Sequence, residues 1–351
     1  MLLDSSQFPV SLKYRTFAVG LRVDLYYCDT VAKPIVRSQL RALVLITFSA
    51  VLSGLLPGTS SPVLASTYQT GSLIELQVPS PEKDYPNRNV WVWTPPLGNL
   101  DRDTLPVVYM LHGWPGSPQS VLAAVAKPLA SAFAAGAKPF IAVFPDGNAK
   151  THFDSEWADS SDKKAMIETW MTTNLIAAVE GTHIRAKSAR AIMGFSMGGY
   201  GAAMIGLHHP DLYSQIIPIS GYYVVDDLTG AFVGKDKNAY QSPANYLKVA
   251  SNFRWFLAEG RDDPTALIHG QALSWWTKLN NLKIKATLDL PAGGHSFQVV
   301  SSVMTPMAKW LTWPATADQP LAPTPSTTTS PTPTAPTDTS SVAAPSAAPE
   351  A

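Results

Sequence analysis

A single cysteine, Cys28, stands in the 351-residue chain, which excludes an intrachain disulfide and any cysteine-built metal site. Charge is sparse and balanced: 26 Lys and Arg against 26 Asp and Glu give a formal net charge of zero, and 15% of residues are charged. That composition lacks the basic footprint of a nucleic-acid binder or of a protein drawn to anionic surfaces. A membrane-length hydrophobic run is missing too. The apolar stretch at residues 42–56 (ALVLITFSAVLSGLL) is shorter than the roughly 20 residues a spanning helix needs. With 46% hydrophobic residues, the chain can still bury a sizeable core, in one large domain or two small ones.

The 42–56 run has a positive flank in Arg37 and Arg41 and is broken by Pro57-Gly58. Val63-Leu64-Ala65 then places small residues where a signal peptidase reads. This order predicts a secretory signal peptide cleaved before Ser66, with a retained membrane anchor as the alternative. Residues 1–35 make an unusually long leader, and Val36 stands where the positive segment should begin. Translation is therefore expected to start there from a non-ATG codon, which N-terminal sequencing of the precursor tests. Processing before Ser66 removes Cys28, and a cysteine-free mature protein suits an oxidising exterior. From Pro314 onward the chain is almost wholly Pro, Thr, Ser and Ala, with Asp318, Asp338 and Glu350 its only charges. Such a segment buries too little apolar surface to offset its ordering entropy. It is expected to be a disordered tail, O-glycosylated and serving as a tether for cell-wall association. The predicted organisation is a leader and signal peptide (or anchor) over 1–65, a folded domain over 66–313 and the tail over 314–351.

Within 66–313, two alternating stretches at 72–78 and 89–94 read as half-buried strands, the second ended by Pro95-Pro96. The continuous apolar runs at 105–111 and 140–144 read as strands buried on both faces. Further strands are expected at 190–193, 215–219, 253–258 and 284–290. Helices are expected at 120–135 and 164–184, around Trp275-Trp276, and closing the domain after His295. Alternation of strand and helix predicts an α/β fold with a mostly parallel central sheet covered by helices on both faces. In such sheets, functional residues gather at the carboxyl ends of strands.

The polar motifs fall at those ends. Gly194-Phe195-Ser196-Met197-Gly198 sits between an apolar strand and a helix rich in small residues, the setting in which a serine hydroxyl is pushed out of a tight turn as a nucleophile. The Met197 N–H at the helix start would face an oxyanion formed there. A second donor is expected from the loop after the 105–111 strand, the Trp114 N–H or, failing that, Gly113. A serine near neutral pH needs a base. His295, in Gly293-Gly294-His295-Ser296 after the last strand, is the candidate. His112 reads as a structural residue shaping the oxyanion loop, and His208 and His209 read as caps at the end of the helix that Met197 opens. The third member should be a carboxylate lying between serine and histidine in chain order. Gly260-Arg261-Asp262-Asp263-Pro264 supplies two, Asp262 and Asp263, which spacing does not separate; Asp226 and Asp227 are outside candidates.

Taken together, these motifs resemble the esterase family of α/β-hydrolases that holds esterase D-like enzymes, feruloyl and acetyl-xylan esterases, and mycolyl-transferring proteins. The matching pieces are Leu111-His112-Gly113, Phe144-Pro145-Asp146-Gly147, the Ser196 motif, His209-Pro210-Asp211, Gly260-Arg261-Asp262-Asp263-Pro264 and Gly293-Gly294-His295. The resemblance implies an α/β-hydrolase fold with Ser196 and His295 in the catalytic triad. Its G-x-x-D-P turn implies Asp263 as the acid, with Asp262 as the alternate. It also implies that Asp154-Ser155-Glu156-Trp157 borders the substrate cleft, with Trp157 touching an acyl or sugar group.

The expected activity is that of a secreted or cell-envelope serine esterase acting on a small-molecule or glycan ester through an acyl-enzyme. It would need no metal or organic cofactor and no nucleic acid. The alternative is a cell-envelope acyltransferase that passes the acyl group to a sugar hydroxyl. A catalytically idle surface-binding protein is a third reading, one that would survive Ser196→Ala.

Overall fold

The structure is a computed structural model, and it describes residues 71–232 and 241–314. The predicted leader, signal segment and cleavage point, and the tail past Pro314, lie outside the described residues. Eight strands form one sheet: β1 (Ser72–Pro79), β2 (Asn87–Thr94), β3 (Val107–Leu111), β4 (Ile141–Pro145), β5 (Arg190–Phe195), β6 (Gln215–Ile219), β7 (Arg254–Ala258) and β8 (Ala286–Asp289). Their order is β1-β2-β4-β3-β5-β6-β7-β8. Pairings β1–β2 and β2–β4 are antiparallel, and all others are parallel.

Strand β3 shows why the sheet sits between two helical layers. Every one of its residues is buried, and the pleat sends them alternately to opposite faces. Val107, Tyr109 and Leu111 join one apolar cluster, Val108 and Met110 the other. On the Val108 side lie α1 (Pro118–Ala134) and α5 (Phe297–Trp310), pinned together where Ser301 Oγ donates to Ala124 O at 2.7 Å. On the Tyr109 side lie α2, α3 (Met197–His208) and α4 (Gln271–Asn281). Helix α2 runs through Ile167–Trp170, a π-helical stretch Met171–Leu175 and Ile176–Glu180.

Local chemistry sets the boundaries that sequence patterning places a few residues off. Helix α1 starts two residues before the expected 120 because Ser117 and Ser120 cap each other's backbone N–H and Pro118 opens the first turn. Helix α2 does not fill the expected 164–184. It ends at Gly181, whose φ of +58° favours glycine, and the carboxylate of Glu180, the last helical residue, is taken by Arg190. Helix α3 is buried from Met197 through Leu207, so its small residues let it pass against strands rather than face water. Among the described residues no helix is long and apolar enough to cross a membrane.

Candidate active site

Strand β5 runs straight into α3, and Ser196 sits at the corner with φ +58° and ψ −121°. A non-glycine residue held there carries strain that its surroundings must impose. The imposing feature is the crossing of strand and helix. A Cβ on Gly194 would fall 1.9 Å from the Gly198 carbonyl oxygen, and one on Gly198 would fall 2.4 Å from that of Leu111. Only glycine at both positions lets the chain turn this sharply.

Three side chains from distant parts of the chain meet at the corner. The Ser196 hydroxyl is 2.8 Å from His295 Nε2, and His295 Nδ1 is 2.8 Å from Asp263 Oδ2. The Asp263 side chain is fully buried, whereas His295 keeps about a quarter of its surface open. A carboxylate at Nδ1 makes that nitrogen the donor and leaves Nε2 to accept the serine proton. The turns after β7 and β8 are zipped together to hold this geometry. Arg261 N–H donates to Pro291 O at 2.8 Å, Asp262 N–H to Gly293 O at 3.0 Å. Asp263 is fixed further by the Thr265 N–H on Oδ1 at 3.0 Å and by His269 Nδ1 on its carbonyl at 3.1 Å. Asp262 points elsewhere: its Oδ2 accepts from Gly293 N–H. Between the two acids that spacing leaves equal, geometry selects Asp263. Asp226 and Asp227 border Glu156 instead.

Beneath His295 lies the ring of Phe195, centroids 4.7 Å apart and planes 29° from parallel, with Phe297 behind it at 5.3 Å. Nothing in the sequence points to this stack, since its partners are a hundred residues apart.

His112 does structural work, as its glycine turn suggests. Its Nδ1–H donates to Gly113 O at 2.9 Å and its Nε2 accepts the Gly147 N–H at 2.9 Å, so it ties the loop after β3 to the loop after β4. That loop brings Gly113 within touch of Ser196: a Cβ on it would lie 2.9 Å from the serine Cβ. Among the described residues no acceptor takes the N–H of Met197 or of Trp114.

Trp157 requires a correction. Its ring is wholly buried, lies against Gly147 and Gly201, and donates from Nε1 to His112 O at 3.0 Å. An enclosed indole cannot touch an acyl or sugar group; it roofs the loop that carries Gly113. The aromatic side chains exposed on this side are instead Trp114 and Phe153, their rings 5.3 Å apart. His208 and His209 also differ from expectation. Their rings bond the Glu168 carboxylate at 2.8 and 2.9 Å rather than the helix-end carbonyls.

Beside Trp157, Glu156 is fully buried and accepts from the Tyr222 hydroxyl and the Asp227 N–H. Burial, reinforced by the charge of Asp154, pushes its carboxyl up to about 8. Burial and then Asp226 push Asp154 to about 6. Two acids that resist ionisation therefore lie on the loop that carries Phe153, buried just past it. Among the described residues, no group of three or more His, Cys, Asp or Glu could hold a metal ion.

The family described as "Putative esterase" matches residues 87–288, more than half of the chain. No curated protein sequence matches it. Among solved structures, a ferulic acid esterase superposes with a TM-score of 0.60 at 19% identity, covering 69% of this chain and 98% of its own. The S-formylglutathione hydrolase of Agrobacterium tumefaciens gives 0.55 at 16% identity, with 68% and 93% covered. MPT51 (FbpC1) of Mycobacterium tuberculosis gives 0.51 at 19% identity, with 68% and 96% covered. At these identities the likeness is one of fold, and the fold is that of the α/β-hydrolases. The strand order, the sharp turn at Ser196 and the match over 87–288 together make this chain a member of the esterase family of α/β-hydrolases.

Proposed function

We propose that the protein is a serine esterase in which Ser196 is the nucleophile, His295 the general base and acid, and Asp263 the orienting acid. The observation that carries this reading is the unbroken chain Ser196 Oγ–His295–Asp263, with 2.8 Å at each link. Ser196 Oγ attacks the ester carbonyl carbon while its proton passes to His295 Nε2. Asp263 holds the imidazole in the tautomer this requires and stabilises the imidazolium. The oxyanion rests on the N–H groups of Met197 and Trp114, each worth about 3 kcal/mol in the transition state. The carbon–oxygen bond to the alcohol then breaks as His295 returns its proton to the leaving oxygen. Water, deprotonated by the same histidine, releases the acid and restores Ser196. The signal-type segment before Ser66 supports work outside the cytoplasm, and the Pro/Thr/Ser tail supports cell-wall association.

A second reading replaces that water with a sugar hydroxyl. One observation favours it, the wall-type tail from Pro314 onward. Trehalose offered alongside water separates the two, since transfer diverts the acyl group into a sugar ester. The first test is simpler. Wild-type protein is expected to hydrolyse p-nitrophenyl esters and to be labelled by a fluorophosphonate, and Ser196→Ala to lose both, with kcat down about 10,000-fold or more. Labelling that persists in Ser196→Ala would end the reading.

A further inference from the structure

Large apolar side chains scattered singly over a surface need no explanation, but a contiguous group at the mouth of a site does. Of the eight that stand exposed among the described residues, four are Trp114, Phe153, Val224 and Leu228, between 41% and 61% exposed. They lie on the loops that follow β3, β4 and β6. These three strands run parallel to β5 or to its neighbours and end at the same edge of the sheet as Ser196.

Each loop is fastened to the serine corner. Gly113, next to Trp114, touches Ser196. Ser155 Oγ, two residues after Phe153, donates to Gly147 O at 2.6 Å and lies 4.0 Å from Met197 Sδ. Ser196 N–H donates to Ile219 O at the end of β6 at 2.9 Å. The loops are also fastened to one another. Trp114 and Phe153 stack loosely at 5.3 Å, and Thr229 Oγ1, next to Leu228, donates to Asp154 O, next to Phe153, at 3.2 Å. Apolar side chains therefore stand exposed on three loops, each tied to the serine corner. On the same loops stand the acids Asp154 and Glu156, both buried, and the exposed Asp226. The loop segments 112–117 and 220–230 contain no Lys or Arg, and Lys150 is the one cation at 146–154.

We infer that Trp114, Phe153 and Leu228 form a shelf that seats an extended, uncharged apolar group of the ester, alkyl or aryl, and that the exposed Asp226 turns away acyl groups carrying a carboxylate of their own. The inference rests on the reading of Ser196 as nucleophile and names the substrate class for that site. An apolar chain laid on the shelf takes its own surface and that of the shelf out of water, and the gain grows with each methylene. A like charge near Asp226 is repelled across a partly dry surface.

The test measures kcat/KM for p-nitrophenyl acetate, p-nitrophenyl octanoate and the p-nitrophenyl monoester of suberic acid, all below their solubility limits. The octanoate is expected to exceed the acetate by about tenfold or more, and the suberate monoester, equal in length, to fall back by about tenfold. Phe153→Ser with Leu228→Ser should lower the octanoate-to-acetate ratio about tenfold, and Asp226→Asn should raise the suberate-to-octanoate ratio. A flat or falling chain-length series, or a double variant whose ratio does not move, would overturn the shelf; an unmoved suberate ratio would overturn the role of Asp226. Failure of the nucleophile reading looks different: no ester, acetate included, is turned over, and Ser196 takes no fluorophosphonate.

Discussion

Helix α3 carries the same succession of groups at both of its ends. At the start, the Asp263 carboxylate bonds His295 Nδ1 and the ring's Nε2 meets the Ser196 hydroxyl, at 2.8 Å each. At the finish, the Glu168 carboxylate bonds His208 Nδ1 at 2.8 Å and the ring's Nε2 meets the Tyr246 hydroxyl at 3.2 Å. Carboxylate, imidazole and hydroxyl in a line are therefore not enough to make an active site. Three differences separate the ends. The first is the sign of the helix dipole, which favours a developing oxyanion at Met197 and a cation at His208. The second is access: the His295 side chain is 24% exposed and that of His208 5%. The third is sharing, for Glu168 Oε1 also takes His209 at 2.9 Å and so clamps two rings. In the proposed mechanism one end passes a proton, while the other holds charges still.

Exchanging each carboxylate for its amide should pull these roles apart. Asp263→Asn presents an N–H where His295 needs an acceptor, so the ring turns to the wrong tautomer. A loss of about 10,000-fold in kcat is expected, with the midpoint of thermal unfolding little changed. Glu168→Gln should do the reverse: kcat per folded molecule stays within about threefold, while stability falls by about 3 kcal/mol because two rings lose a buried charged partner. Urea unfolding and ester hydrolysis on the same preparations decide it. Comparable kcat losses in both variants would erase the distinction between the two ends.

The sign of the pH dependence sharpens the same contrast. Burial alone would raise the Glu168 carboxyl, but the hydrogen bonds from His208 and then His209 outweigh it and hold it below the ordinary 4.5. Between those two values the unfolded chain binds the extra proton. The stability Glu168 contributes is thus complete above about pH 4.5 and is lost as pH falls through its folded value. The difference in unfolding free energy between wild type and Glu168→Gln should shrink on going from pH 7 to the acid limit. A difference that stays constant or widens on acidification would contradict the clamp.

How much of this was legible beforehand follows from the range of the interactions. The runs that became β3 and β4 are apolar throughout because both faces are covered, and a continuous run shows in sequence. The corner at Ser196 is equally local, since Gly194 and Gly198 lie within two residues of it. Asp263 over Asp262 is a matter of which of two adjacent side chains faces inward, and that depends on the turn's pairing with Gly293. Trp157 misleads for the same kind of reason. Flanked by Glu156 and Asp159 it looks like an exposed rim residue, but Gly147 and Gly201, both distant in sequence, leave the space that its ring fills. The Glu168 clamp spans 40 and 41 positions, and no periodicity announces it.

The smallest of these effects concerns the ring under each histidine. His295 lies nearly flat on Phe195, at 4.7 Å and 29°, whereas His208 meets the Tyr246 ring edge-on, at 5.2 Å and 68°. A ring face carries negative charge density, so Phe195 favours the imidazolium that forms as Ser196 attacks, by about 1 kcal/mol. Phe195→Leu keeps most of the volume and removes the π face. It should lower kcat about fivefold and leave KM within about twofold. Tyr246→Phe should move neither. A merely structural Phe195 would lower the melting temperature and leave kcat per folded molecule in place, and that outcome would reduce the stack to packing.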